Sequence, residues 1–261
     1  MSEPVTPMSR FLPTAMATAL FMDLLDTAAL GSALPTMAKE FHTPALQLKL
    51  ALTSYLMTFA ILVPASGWLA DRYGPRRVFI NAIKVYLLGS LCCGLSSTVG
   101  QLIASRVLQG VGGAMMTPVA RLIVIAATPR ERLVHALNAF TIPAVVGPVL
   151  GPPLAGVLLE VANWRWIFFI NIPVGLLGIV AVLRIVPRLR QRDPGPFDVF
   201  GFLTAAGGIV TLMLLSESVE SQTLTSWPRL AIVVATASGI YQSRVVLRAV
   251  SSSCEFDLET I

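Results

Sequence analysis

Apolar stretches long enough to cross a bilayer recur along this chain, divided by short polar breaks. Eight can be read, at roughly 13–37, 47–70, 78–98, 101–125, 133–159, 165–187, 197–216 and 229–249. A hydrocarbon layer of ~30 Å takes about 20 helical residues, and inside it a helix satisfies its own backbone. The pattern predicts an all-α integral membrane protein whose neighbouring helices run antiparallel, because the breaks are short. The eighth stretch is the most polar, with Gln242, Arg244 and Arg248 crowding its end. The basic, proline-broken segment "PRLRQRDPGPFD" (187–198) follows six spans. It divides the chain into a six-helix bundle (1–187), a basic linker (188–196), two additional transmembrane helices (197–249) and a polar tail (250–261).

Composition strengthens this picture. Of 261 residues, 55% are hydrophobic and only 13% charged, where a soluble domain carries about a quarter. The charge bias sets an orientation. Of the nineteen Lys and Arg, Lys39, Lys49, Arg165 and Arg229 fall on one side and Arg106 falls within a span. The rest lie on the side of the N-terminus, which the positive-inside rule places in the cytoplasm. No basic run is interleaved with aromatics, so the net charge of +5 points to inner loops and not to nucleic acid. Cys92, Cys93 and Cys254 form no disulfide or metal framework. The first span is too long and too acidic for a cleavable leader. Trp164, Trp166, Phe168 and Phe169, at the start of span six, are expected mostly as interfacial anchors.

Two acids break the first span. A carboxylate at a helix centre costs about 2.5–3.5 kcal/mol on insertion scales, yet "FMDLLDTAAL" (21–30) holds both Asp23 and Asp26. Three residues apart, they share a helix face. Arg106, in span four, lies ~8 Å below the outer surface and Asp26 ~14 Å, at about 1.5 Å per residue. An Arg side chain bridges that difference. The expectation is that the acids line a water-filled cavity, where an Asp–Arg contact that changes with conformation changes proton affinity. Asp23 is deeper, and its other reading is a packing acid bonded to a neighbouring hydroxyl. Arg106 also has the option of snorkelling outward. Gln109 either holds Arg106 or makes an interhelical hydrogen bond. Asp26→Asn is expected to abolish proton-driven export without affecting expression. No nucleophile–base set, phosphate loop, cofactor signature or metal spacing accompanies these residues, so neither an enzyme nor a cofactor is expected.

Glycines and prolines cluster in two places. In "GWLADRYGPRRVF" (67–79), Gly67 suits close helix approach, Gly74 a tight turn, and Asp71 a capping or pairing role among basic residues. In "VVGPVLGPPLAG" (145–156), Gly147 and Gly151 have the spacing that lets helices meet backbone to backbone, while Pro148, Pro152 and Pro153 remove amide donors.

The first of these stretches closely resembles the signature loop of the major facilitator superfamily, matching at Gly67, Leu69, Asp71, Arg72, Gly74 and Arg76. There the Asp and basic residues form a latch favouring the outward-facing state. Pro75 replaces a common basic residue. "LIASRVLQGVGGA" (102–114) resembles the fourth-helix motif at Arg106, Gln109 and Gly110. The 145–156 stretch resembles the fifth-helix motif of antiporters at Gly147, Pro148, Gly151 and Gly156. "NWRWIFFINIPVG" with "FDVFGFL" is similar to the fourteen-helix drug:proton antiporter branch. So is the first helix, at Leu25, Asp26, Ala33, Leu34 and Pro35, with Ala28 and Gly31 where Thr and Asn are usual.

The resemblance implies proton-coupled efflux of small amphipathic or cationic compounds by alternating access, in a bacterial inner membrane. Its partners would be a small-molecule substrate, protons, the lipid bilayer and a second six-helix bundle. The chain offers one bundle and two linking helices, then stops, which reads as a truncation before the second bundle. A non-transporting membrane interaction subunit or inactive fragment with the same fold is the alternative. A uniporter is a weaker third.

Overall fold

A computed structural model describes residues 11–186 and 195–220, with side chains up to residue 213. The described residues are helical apart from short connections. They form α1 (Leu12–Glu40), α2 (Ala45–Tyr73), α3 (Pro75–Leu95), α4 (Val99–Ala127), α5 (Leu133–Val161), α6 (Trp166–Phe169), α7 (Asn171–Ile185) and α8 (Val199–Glu220), with one 3-10 turn at Arg130–Arg132. Six stretches are long and apolar enough to cross a membrane, α6 and α7 counting together as Trp166–Ile185. The chain divides into two compact units at Pro194/Gly195, and α8 stands in the second. The expected span 229–249, the tail 250–261 and Cys254 lie outside the described residues, as does most of the linker.

Local chemistry explains where helices begin and end. Thr98 caps α4, its side chain accepting from the Gln101 amide at 3.2 Å, and Asp198 caps α8 by accepting from the Gly201 amide at 2.8 Å. Helix α3 starts three residues before the apolar pattern does. Pro75 supplies the preset φ of a first helical position, and Gly74 (φ 88°) takes a left-handed turn that a side chain would oppose. The expected single sixth span is interrupted at Ile170, between α6 and α7. Pro173 has no amide to give the Phe169 carbonyl; the neighbouring Phe168 carbonyl accepts from the Ser90 hydroxyl at 2.9 Å.

In the first unit, α1 packs chiefly on α5, and α4 on both α2 and α3; α7 closes against α1 and α3. Apolar faces of α2 and α5 (Leu46, Leu50, Val149, Val157) remain exposed. At the end carrying the α1–α2 turn, Trp164 and Phe168 are fully buried with Met37, Leu48 and Leu102. This corrects the interfacial-anchor reading for these two aromatics; Trp166, 52% exposed, retains an outward position. The Trp164 indole donates to Glu40 at 2.7 Å. Arg165 pairs with Glu40 at 2.6 Å and lies over the Trp164 ring at 4.5 Å. The indole is buried because its polar edge has a carboxylate to bond.

Candidate functional site

The centre of the first unit holds a polar chain drawn from four helices. Asp26 on α1 is 0% exposed and Arg106 on α4 is 1% exposed. Arg106 Nη1 donates to Asp26 Oδ2 at 2.5 Å and to Gln109 Oε1 at 2.8 Å. The Cys93 thiol also donates to Gln109 Oε1, at 3.7 Å. Asp26 Oδ1 accepts from Asn171 Nδ2 at 2.8 Å. The guanidinium lies 4.7 Å from the Phe168 ring centroid and 5.7 Å from that of Tyr55. Burial of a charge is tolerable only with such partners. Arg106 does not snorkel: its head group points into the bundle.

Asp23 takes a different partner. The Tyr55 hydroxyl of α2 donates to Asp23 Oδ1, so the two acids share a face of α1 but diverge to α2 and α4. Both are buried, Asp26 at 0% and Asp23 at 6% exposure, with their bonding partners on α2, α4 and α7. Sequence reasoning missed Tyr55, Asn171 and Ser90. Each is an ordinary polar residue in a span, and only the fold aims it at an acid. Among the described residues, Arg106 Nε and Nη2, Gln109 Nε2, Tyr86 Oη and Thr117 Oγ1 are buried without a protein partner. No described group of three His, Cys, Asp or Glu could hold a metal ion.

The α5 glycines face α1. A Cβ on Gly147 would lie 3.2 Å from the Phe21 carbonyl, the Leu25 amide and Leu24 Cβ; on Gly151 it would lie 2.6 Å from Ala28 Cβ and 3.0 Å from the Ala29 amide. Gly156 is exposed with nothing within 4 Å, and so is Gly67. Matching the motif therefore does not place these two in a contact of this bundle. Pro148 is exposed within an α5 that stays continuous through Pro143, Pro148, Pro152 and Pro153. We expect Gly147→Ala to be nearly neutral in a thermal melt, since ~1 kcal/mol of helix propensity offsets a slight contact. Gly151→Ala, against less yielding neighbours, should cost about 1–3 kcal/mol.

The 67–79 stretch forms the α2–α3 turn. Arg76 Nη2 donates to the Leu183 carbonyl at 2.6 Å, a cation on the last turn of α7 where free carbonyls gather. Asp71 is half-buried and Arg72 exposed at the same turn.

The Major Facilitator Superfamily profile matches residues 16–251. The chain belongs to this superfamily. A protein of Enterobacter sp. (strain 638) bearing the name multidrug resistance protein MdtD is 47% identical over 199 residues, covering 76% of this chain and 42% of that protein. One of the same name from Serratia proteamaculans (strain 568) is 43% identical over 225 residues, covering 86% and 47%. Among solved structures, a bacterial homologue of the human lysosomal transporter Spinster, inward-facing and unoccupied, superposes with a TM-score of 0.58 at 19% identity. That match covers 76% of this chain and 47% of the other, and it shows the shared fold. The chain spans about half the length of the curated relatives it matches. It is a multi-pass membrane protein of this superfamily.

Proposed function

We propose that this chain is the N-terminal portion of a proton-coupled multidrug efflux transporter of a bacterial inner membrane, with its N-terminus in the cytoplasm. The buried Asp26–Arg106 pair carries the reading. An ion pair sealed between helices costs desolvation that apolar packing would avoid, so its retention in a bilayer marks a functional site. Asp26 would release Arg106 to take up a proton as the bundle opens, and give the proton back as the pair re-forms. Asp23, with Tyr55, lies one turn away as a second acid. Gln109 orients the guanidinium. Gly147 and Gly151 would form the packed seam along which α5 moves on α1, with Pro148 exposed beside it, and Gly156 would serve a surface met outside this bundle. The turn with Gly67, Asp71, Arg72, Gly74 and Arg76 would latch the bundle, Arg76 through α7. The names of the relatives support drug-like small-molecule cargo, and the buried acids favour amphipathic or cationic compounds within that class. A second six-helix bundle would complete the transport path, and two linking helices would lead to it.

The test is efflux of a lipophilic cationic dye from proteoliposomes holding the full-length transporter. Export should require an imposed proton gradient and stop when a protonophore collapses it. Export that persists at the same rate without the gradient would refute proton coupling.

A further inference from the structure

Asn171 stands at the start of α7 and is 1% exposed. Its amide nitrogen donates to Asp26 Oδ1 at 2.8 Å and to Ser90 Oγ at 3.0 Å. The Ser90 hydroxyl proton is itself committed to the Phe168 carbonyl at 2.9 Å. That commitment settles which way the amide points. Ser90 has only lone pairs to offer Asn171, so the Asn171 NH2 must face both Ser90 and Asp26. The result is a polarised chain from the Phe168 carbonyl through Ser90 and Asn171 to one oxygen of Asp26, while Arg106 occupies the other.

We propose that Asn171, held by Ser90, is the positioning residue that sets the proton affinity of Asp26. The proposal rests on reading Asp26 as the proton-carrying side chain. Two donors aimed at one carboxylate favour its ionised form, and Asn171 supplies the one that carries no charge. It also ties the protonation state of α1 to the α6–α7 break, because movement of α7 withdraws the donor. The charged and titratable groups facing Asp26 are Arg106 from α4, Asp23 from α1, Tyr55 from α2, and Tyr86 and Cys93 from α3. Among the described residues of α6 and α7, Asn171 is the polar side chain that bonds it.

The experiment is an infrared titration of the protonated-carboxyl band of this 261-residue chain in nanodiscs, with the double variant Asp26→Asn and Arg106→Gln identifying the Asp26 contribution. Asn171→Ala should move the Asp26 midpoint about one pH unit or more toward alkaline. Ser90→Ala, which leaves the donor but loosens it, should move it less and in the same direction. A midpoint in folded Asn171→Ala equal to that of the wild type overturns the proposal. If that variant does not fold, Asn171→Ser is read by the same criterion. The titration needs no cargo. A shifted midpoint alongside gradient-independent efflux would remove the transport reading and leave this one standing.

Discussion

Arg106→Met should lower the stability of the bundle by about 3–5 kcal/mol, enough to lose most folded protein from detergent extracts. The exchange keeps the length of the side chain but leaves Asp26 charged, or forced to take a proton, with 0% exposure. It also leaves Gln109 Oε1 without its 2.8 Å donor. Asp26→Asn should fail for the mirror-image reason, since it buries the guanidinium with no counter-charge. The structure therefore revises the expectation that this variant expresses normally. The informative variant is the pair Asp26→Asn with Arg106→Gln. Two amides can bond each other and still serve Asn171 and Gln109, so stability should recover to within about 1–2 kcal/mol of the wild type, as removal of whole buried ion pairs often allows. Size-exclusion profiles and thermal melts measure the recovery. A single Arg106→Met variant as stable as the wild type would contradict the burial described here.

Gly112→Ala should be as severe, although it adds one methyl group. A Cβ at position 112 would lie 2.5 Å from the Tyr86 amide nitrogen, 2.8 Å from the Tyr86 Cα and 2.8 Å from the Ala82 carbonyl. All three are backbone atoms of α3, which cannot rotate away as a side-chain tip could. The contact is reciprocal one turn along, where a Cβ on Gly89 of α3 would lie 2.7 Å from the Gln109 amide nitrogen. Close backbone approach is what small residues provide in a membrane, where lipid offers no hydrophobic drive to hold helices together. Parting α3 from α4 should cost more than the ~1–3 kcal/mol of ordinary overpacking, because Gln109 and Arg106 sit on the same stretch of α4. Gly100→Ala, at a glycine with open space around it, is the control. A Gly112→Ala melt that matches this control would show that α3 and α4 are less tightly crossed than described.

Apolar length alone made six helical spans legible, and the motifs made the superfamily legible. The expense of a carboxylate in hydrocarbon drew attention to Asp26, and the depth of Arg106 made the two plausible neighbours. What lay beyond reach depends on rotation about helix axes. A uniformly apolar span carries little periodicity to say which face meets which partner. Tyr55, Ser90 and Asn171 therefore looked like incidental polar residues. Trp164 looked like an interfacial ring until Glu40, distant in sequence, supplied a bond for its indole. Gly67 and Gly156 fit their motifs as well as Gly147 and Gly151 do, yet only the latter two meet another helix of this bundle. A pattern of letters does not state which surfaces a longer assembly would cover.

Helix α1 carries two fittings on opposed sides. Phe21, Leu24 and Ala28 bear on the α5 glycines, while Asp26, about 200° around the axis from both Leu24 and Ala28 at 100° per residue, engages α4 and α7. The helix is thus geared: a screw motion that frees the acid must also drag its small-residue side across α5. Under the proposed proton coupling, chemistry and mechanics share one shaft, so slippage at either fitting would let a proton leak without work being done.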